Sequence, residues 1–152
     1  QALDSLLDGL ELEVFAHNVE CVPRLDSVVR DARASFEQSI GILVEAKRLR
    51  PDILTKSSIM VGLGETDEEI IEALQLLRDA DVDLVTIGQY LAPSPNHLAV
   101  DRFPEPAKYD EWSSHIEEIG FLGWACGPLV RSSYRAGDLL AKASARLRTQ
   151  ME

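Results

Sequence analysis

Cysteine is scarce in this chain: Cys21 and Cys126 are the only two in 152 residues. So few thiols, so far apart, form no disulfide framework, which points to a reducing compartment rather than secretion. Basic residues are also in deficit, with 15 Lys and Arg against 26 Asp and Glu and a net charge of −11. Nucleic-acid binding depends on clustered Lys and Arg at phosphates, and an anionic membrane surface attracts the same groups, so both partners are disfavoured. No apolar run approaches the roughly 20 residues a membrane-crossing helix needs. A targeting segment would lie upstream of Gln1, which leaves cytoplasm and organelle open. Internal repeats and low-complexity tracts are missing too. What remains is an ordinary globular composition, 45% hydrophobic and 27% charged, of a length that normally builds one domain around a core.

Short apolar runs alternate with amphipathic ones. Ala2 to Leu7 reads as the end of a helix closed by Gly9, and Leu12 to Asn18 as a buried strand. Ser35-Phe36-Glu37-Gln38 has the pattern of a capping box, in which two side chains satisfy opposite orphan amides. It opens a helix through Leu49 with Phe36, Ile40, Leu43, Val44 and Lys47 on one face, and Pro51 stops it. Leu54 to Val61 reads as the next strand and Gly62 to Gly64 as a turn. Thr66-Asp67-Glu68-Glu69 is a second capping box, its acidic first turn suited to the positive end of the helix dipole, before a helix carrying Ile70, Leu74 and Leu77. Val82 to Tyr90 is a third strand, Leu91 to Pro106 a proline-rich loop, Ala107 to Ile119 a helix, Phe121 to Ala125 a short strand and Gly137 to Arg148 a terminal helix. This alternation implies an α/β fold of right-handed parallel βαβ units. The pattern alone leaves half a barrel and a small open sheet as alternatives.

Four blocks carry more specific information. In Gly127-Pro128-Leu129-Val130-Arg131-Ser132-Ser133-Tyr134, two adjacent serines stand between an arginine and a tyrosine; taken alone this is a polar turn before a helix. His17-Asn18-Val19-Glu20-Cys21-Val22-Pro23-Arg24-Leu25 closes the first strand, Lys56-Ser57-Ser58-Ile59-Met60-Val61-Gly62-Leu63-Gly64-Glu65-Thr66 the second, and Gly88-Gln89-Tyr90-Leu91 the third, with Pro93, His97 and Leu98 following. Active residues of parallel α/β folds sit where strands end and loops begin. His17, Asn18, Glu20, Gly62, Gly64, Glu65, Gln89 and Tyr90 all fall there. Their bland readings are backbone hydrogen bonding for His17 and Asn18, and an ordinary glycine turn for Gly62 to Glu65.

In this order the blocks resemble the lipoyl synthases, radical S-adenosylmethionine enzymes, over about residues 10 to 140. Cys21 stands where that family usually has threonine, Ser94 replaces another threonine, and Ala99 replaces a proline. The resemblance implies the second half of a partial (β/α)6, TIM-like barrel over residues 1–126, followed by a cluster-ligand segment and terminal helix over 127–152. It implies that His17, Asn18, Glu20, Ile59, Gly62, Gly64, Glu65 and Gln89 shape the S-adenosylmethionine site. Ser133, with Ser132 as the alternative, would supply an oxygen ligand to an iron of an auxiliary cluster, and Arg131 would stabilise negative charge beside it. A serine oxygen is a harder ligand than the usual thiolate, which suits a cluster consumed as a sulfur source. The loop Leu91 to Phe103 is read either as part of the channel for the octanoyl-lysine arm or as a variable surface loop.

The complete enzyme would insert two sulfur atoms at carbons 6 and 8 of a protein-bound octanoyl group, using S-adenosylmethionine and two four-iron four-sulfur clusters. The implied partners are octanoylated lipoyl carrier domains of 2-oxoacid dehydrogenases and the glycine-cleavage H protein, with a ferredoxin or flavodoxin as reductant. Both of the family's cluster motifs, CxxxCxxC and CxxxxCxxxxxC, lie upstream of the region matched here, so this chain is expected to be inactive without the missing N-terminal half. A cytoplasmic site, plastid stroma and mitochondrial matrix all fit. The competing reading is a cluster-free relic that serves as a scaffold.

Overall fold

Four parallel strands form one sheet in the computed structural model: β1 (Val14–Ala16), β2 (Leu54–Val61), β3 (Leu84–Gln89) and β4 (Gly123–Gly127), in the spatial order β1-β2-β3-β4. Residues 14–30 and 34–131 are described, together with Leu139, Ala145, Arg146 and Thr149. The expected first helix, Ser132, Ser133, Tyr134 and most of the expected terminal helix lie outside them. Between the strands run a short 3-10 turn (Pro23–Leu25), α1 (Asp26–Val29), α2 (Phe36–Leu49), α3 (Asp67–Asp79) and α4 (Pro106–Ile119). Each strand's neighbour is the next in sequence, so right-handed crossovers wind in one direction and put the helices on one face. That arrangement is compatible with part of a TIM-like barrel; a doubly wound sheet would reverse its strand order.

The helix-facing side is the core. Ile59, Val61, Val85 and Ile87 from the strands meet Ile70, Leu74 and Leu77 of α3 and Trp112 and Ile116 of α4, and none of these is more than 1% exposed. Burying each such side chain contributes about 1.5–3 kcal/mol. Tyr109 and Trp112 meet edge to face at 5.1 Å. Strand alternation sends Ser58 and Thr86, register partners, to the opposite face, where their hydroxyls bond at 2.5 Å. Gly88 lies on that face because the chain crosses it: a Cβ there would collide with the carbonyl of Val130. At the amino-terminal ends of the strands the polar chemistry is structural, with Asp83 accepting from Thr55 N at 3.0 Å and from Lys47 Nζ at 2.5 Å.

Two local details differ from the sequence reading. Only Thr66 and Glu69 close a full capping box; Ser35 accepts from Gln38 N at 3.1 Å without a return bond. On α2, Val44 is 45% exposed while Ser39 is buried, because the Ser39 hydroxyl bonds His17 and Arg30. Beside β1, Phe15, Ile42, Ala46 and Leu49 line an open apolar groove.

Candidate functional site

The carboxyl end of β1 does not continue as a regular strand. Ala16 pairs with Lys56, but Glu20 bridges Ile59, so one extra residue is accommodated between them. Bulges of this kind re-aim side chains. Val19 N donates to Ser57 Oγ at 3.0 Å, Glu20 N to Ser58 O at 3.1 Å and Met60 N to Glu20 O at 2.8 Å. These bonds hold Glu20 at φ +73°, a left-handed conformation that a non-glycine residue adopts only when its surroundings require it.

Beyond the bulge lies a cavity of about 280 Å³ at the carboxyl ends of β1, β2 and β3, and Asn18, Glu20, Ile59, Gln89 and Arg131 all line it. Their contributions differ. Ile59 is fully buried in the helix-side core, and the Gln89 amide donates to the carbonyls of Val61, Tyr90 and Arg102 at 3.3, 3.0 and 3.1 Å. These two build the wall. Arg131 Nη1 donates to Val130 O at 2.9 Å. Asn18 and Glu20 have no side-chain hydrogen bond or ion pair among the described residues, so their polar groups are available to a ligand hydroxyl or amide.

His17, Gly62, Gly64 and Glu65 lie outside this cavity. His17 Nε2 bonds Ser39 Oγ on α2 at 3.1 Å. The Glu65 carboxylate accepts from Gly62 N at 3.0 and 3.1 Å and from Leu63 N at 3.1 Å, and Arg102 Nη2 lies 3.4 Å away. Glu65 therefore closes the turn after β2. Arg102 also meets Asp67 at 3.0 Å, which fastens the far end of the Leu91 to Phe103 loop to the start of α3.

A second chamber, of about 530 Å³, shares Glu20, Met60 and Leu91 with the first. Val28, Val29, Leu63, Pro93 and Leu98 make it largely apolar. Sequence reasoning missed Arg30, which lines this chamber with its side chain only 9% exposed. Its Nη2 donates to Ser39 Oγ at 2.8 Å and its Nη1 is buried without a hydrogen-bond partner among the described residues, 3.8 Å from Asp26. An orphaned guanidinium N–H seeks an anion or carbonyl oxygen. The only sequence signal was an arginine directly after the apolar pair Val28-Val29.

The Asn18 and Glu20 side chains in the cavity are of a kind suited to ribose hydroxyls, as in S-adenosylmethionine, and Arg30 in the adjoining chamber is suited to an anionic group. They do not fit a metal cluster: among the described residues no group of three or more His, Cys, Asp or Glu side chains is placed to hold a metal. Burial first, and then the neighbouring Asp26 carboxylate, pushes the Cys21 thiol up to about 12, and burial raises Cys126 to about 11. Ligating thiolates are thereby disfavoured. No described helix is long and apolar enough to cross a membrane.

The class defined here is a parallel α/β segment, compatible with part of a TIM-like barrel, with a cavity at the carboxyl ends of its strands. No protein-family model matches the chain. Among curated proteins it is similar to the chloroplastic lipoyl synthase of Arabidopsis thaliana, 55% identical over 93% of this chain and 36% of that protein. It is likewise similar to the chloroplastic lipoyl synthase of Ricinus communis, 52% identical over 98% and 41%, and to the mitochondrial lipoyl synthase of Homo sapiens, 50% identical over 86% and 35%. The family resemblance read from the four motif blocks is borne out: this is lipoyl synthase sequence, spanning well under half the length of the curated relatives it matches.

Proposed function

We propose that this chain is the cofactor-facing and substrate-facing part of a lipoyl synthase, the sulfurtransferase that converts protein-bound octanoyl-lysine to the lipoyl group. The observation that carries this reading is the junction at Glu20, Met60 and Leu91 of a cavity with mixed polar and apolar walls and a more apolar chamber. The cavity holds S-adenosylmethionine, with Asn18 and Glu20 on the ribose and Arg30, which lines the adjoining chamber, on the carboxylate; the rest of the chamber takes the octanoyl arm. When bound, that cofactor supplies the radical chemistry needed to activate unreactive C–H bonds, beyond the reach of acid–base catalysis. The chain's own residues orient and shield: Met60, Leu63 and Leu91 exclude water beside the acyl chain, and Glu65 and Arg102 fix the turn and loop that bear them. Ser133 remains the proposed oxygen ligand of the auxiliary cluster, with Ser132 as alternative and Arg131 beside it. The lipoyl carrier domains, the reductant, and a plastid or mitochondrial compartment belong to the same proposal.

The test uses the full-length enzyme and measures S-adenosylmethionine cleavage separately from lipoyl formation on an octanoylated carrier domain. Arg30→Ala should weaken cofactor binding about tenfold or more, the range of a hydrogen bond to a charged group. Ser133→Ala should cleave the cofactor yet form no lipoyl group, while Ser132→Ala forms it. The reverse outcome assigns the ligand to Ser132. A full-length parent that forms no lipoyl group overturns the enzyme reading in favour of a scaffold.

A further inference from the structure

At the rim of the apolar chamber stands a histidine that the reading above does not use, with one ring nitrogen already engaged. Ser94 Oγ lies 2.7 Å from His97 Nδ1 and accepts Asn96 N–H at 3.2 Å. The Ser94 hydroxyl can donate to Nδ1 while its oxygen accepts Asn96 N–H, and the tautomer of His97 decides which of the two atoms carries the shared proton. With Nδ1 accepting, the ring proton of the neutral imidazole sits on Nε2. The Ser94 contact engages Nδ1 and leaves Nε2 as the ring nitrogen with no hydrogen bond among the described residues, and His97 lines the chamber.

Resting on the acyl-arm reading above, we propose that His97 Nε2–H recognises the amide carbonyl of the acylated lysine. An octanoyl-lysine side chain is apolar at both ends and polar only at its amide, so a largely apolar chamber must supply a partner there or leave a carbonyl unpaired at a cost. The other polar groups lining the chamber are committed or of the wrong kind. The Tyr90 hydroxyl donates to Leu98 O at 2.7 Å, the Glu20 carboxylate accepts, and Arg30, with Nη2 on Ser39, is assigned above to the cofactor's carboxylate. His97 is exposed on the loop where a lysine arm from another protein must enter.

Binding of a dye-labelled peptide carrying octanoyl-lysine to the full-length protein, at a pH where histidine is neutral, tests this assignment. His97→Phe should weaken binding about three- to tenfold, the range of one neutral hydrogen bond, and leave S-adenosylmethionine binding unchanged. In turnover the loss should appear in KM for the octanoylated carrier with kcat retained. Ser94 is a positioning residue: Ser94→Ala should mix the imidazole tautomers seen in nitrogen-15 NMR and weaken the peptide, and Ser94→Thr should restore both. Parental peptide affinity in His97→Phe, or a single Nδ1–H tautomer in the parent, overturns the proposal. A parent protein that binds S-adenosylmethionine but no octanoyl peptide removes the acyl-channel reading itself, and this assignment with it.

Discussion

Gly62→Ala and Gly64→Ala place the same methyl group at two residues of one turn with different surroundings. Both residues have positive φ, +96° and +116°, and moving a side chain into left-handed backbone costs about 1–2 kcal/mol. At Gly64 the added Cβ meets nothing within 4 Å, so the cost should end there. At Gly62 it would lie 2.5 Å from the carbonyl oxygen of Arg102 and collide with Gln89 Nε2. Neither neighbour yields easily, because Asp101 N ties that stretch to Gly62 O at 2.7 Å and the Gln89 amide serves three carbonyls. Overpacking of this kind adds about 1–3 kcal/mol, for a total of about 2–5 at Gly62 against about 1–2 at Gly64. For a chain of this size each kcal/mol lowers Tm by about 2–4 °C. Urea unfolding followed by tryptophan fluorescence gives both free energies directly. Equal losses, or the larger one at Gly64, would refute the steric account of the turn.

Two further outcomes follow from the titrating groups. The Arg24 guanidinium, backed by the Thr66 amide, pulls Glu69 from 4.5 down to about 2. A depressed carboxylate stabilises fully above its unfolded value and loses that contribution as pH falls through its folded one. Glu69→Gln should therefore cost stability at neutral pH, and the gap from the parent should close as pH falls from about 4.5 to about 2; a constant gap across that window rules the pairing out. Cys21 and Cys126, raised to about 12 and 11 by burial, favour the fold as neutral thiols below their ordinary value of 9.0 and lose that contribution as pH rises toward the folded values. Iodoacetamide at about pH 8 should therefore modify them far more slowly in the native chain than in urea, and equal rates would show that both are accessible.

The sequence by itself determined the elements whose causes are local. The Thr66 to Glu69 capping box, the span of α2 up to Pro51, and β2 with the turn after it are legible because each depends on residues within a few positions. The order of the four motif blocks was enough for the family. Parallel α/β organisation followed from the spacing of apolar runs. Tertiary structure alone decided which side chains reach the cavity. Asn18 and Glu20 arrive there through a bulge whose pairing partner, Ile59, lies in another strand, whereas strand alternation turns Ile59 and Gln89 toward the helices. His17 leaves the cavity for Ser39, and Glu65 turns back on its own turn. Arg30 stands out only because the fold buries its guanidinium and leaves Nη1 without a hydrogen-bond partner among the described residues. A strand's period shows that neighbouring residues face opposite ways; which face meets helices and which meets a ligand is set by contacts between residues distant in sequence, where local propensity has no say.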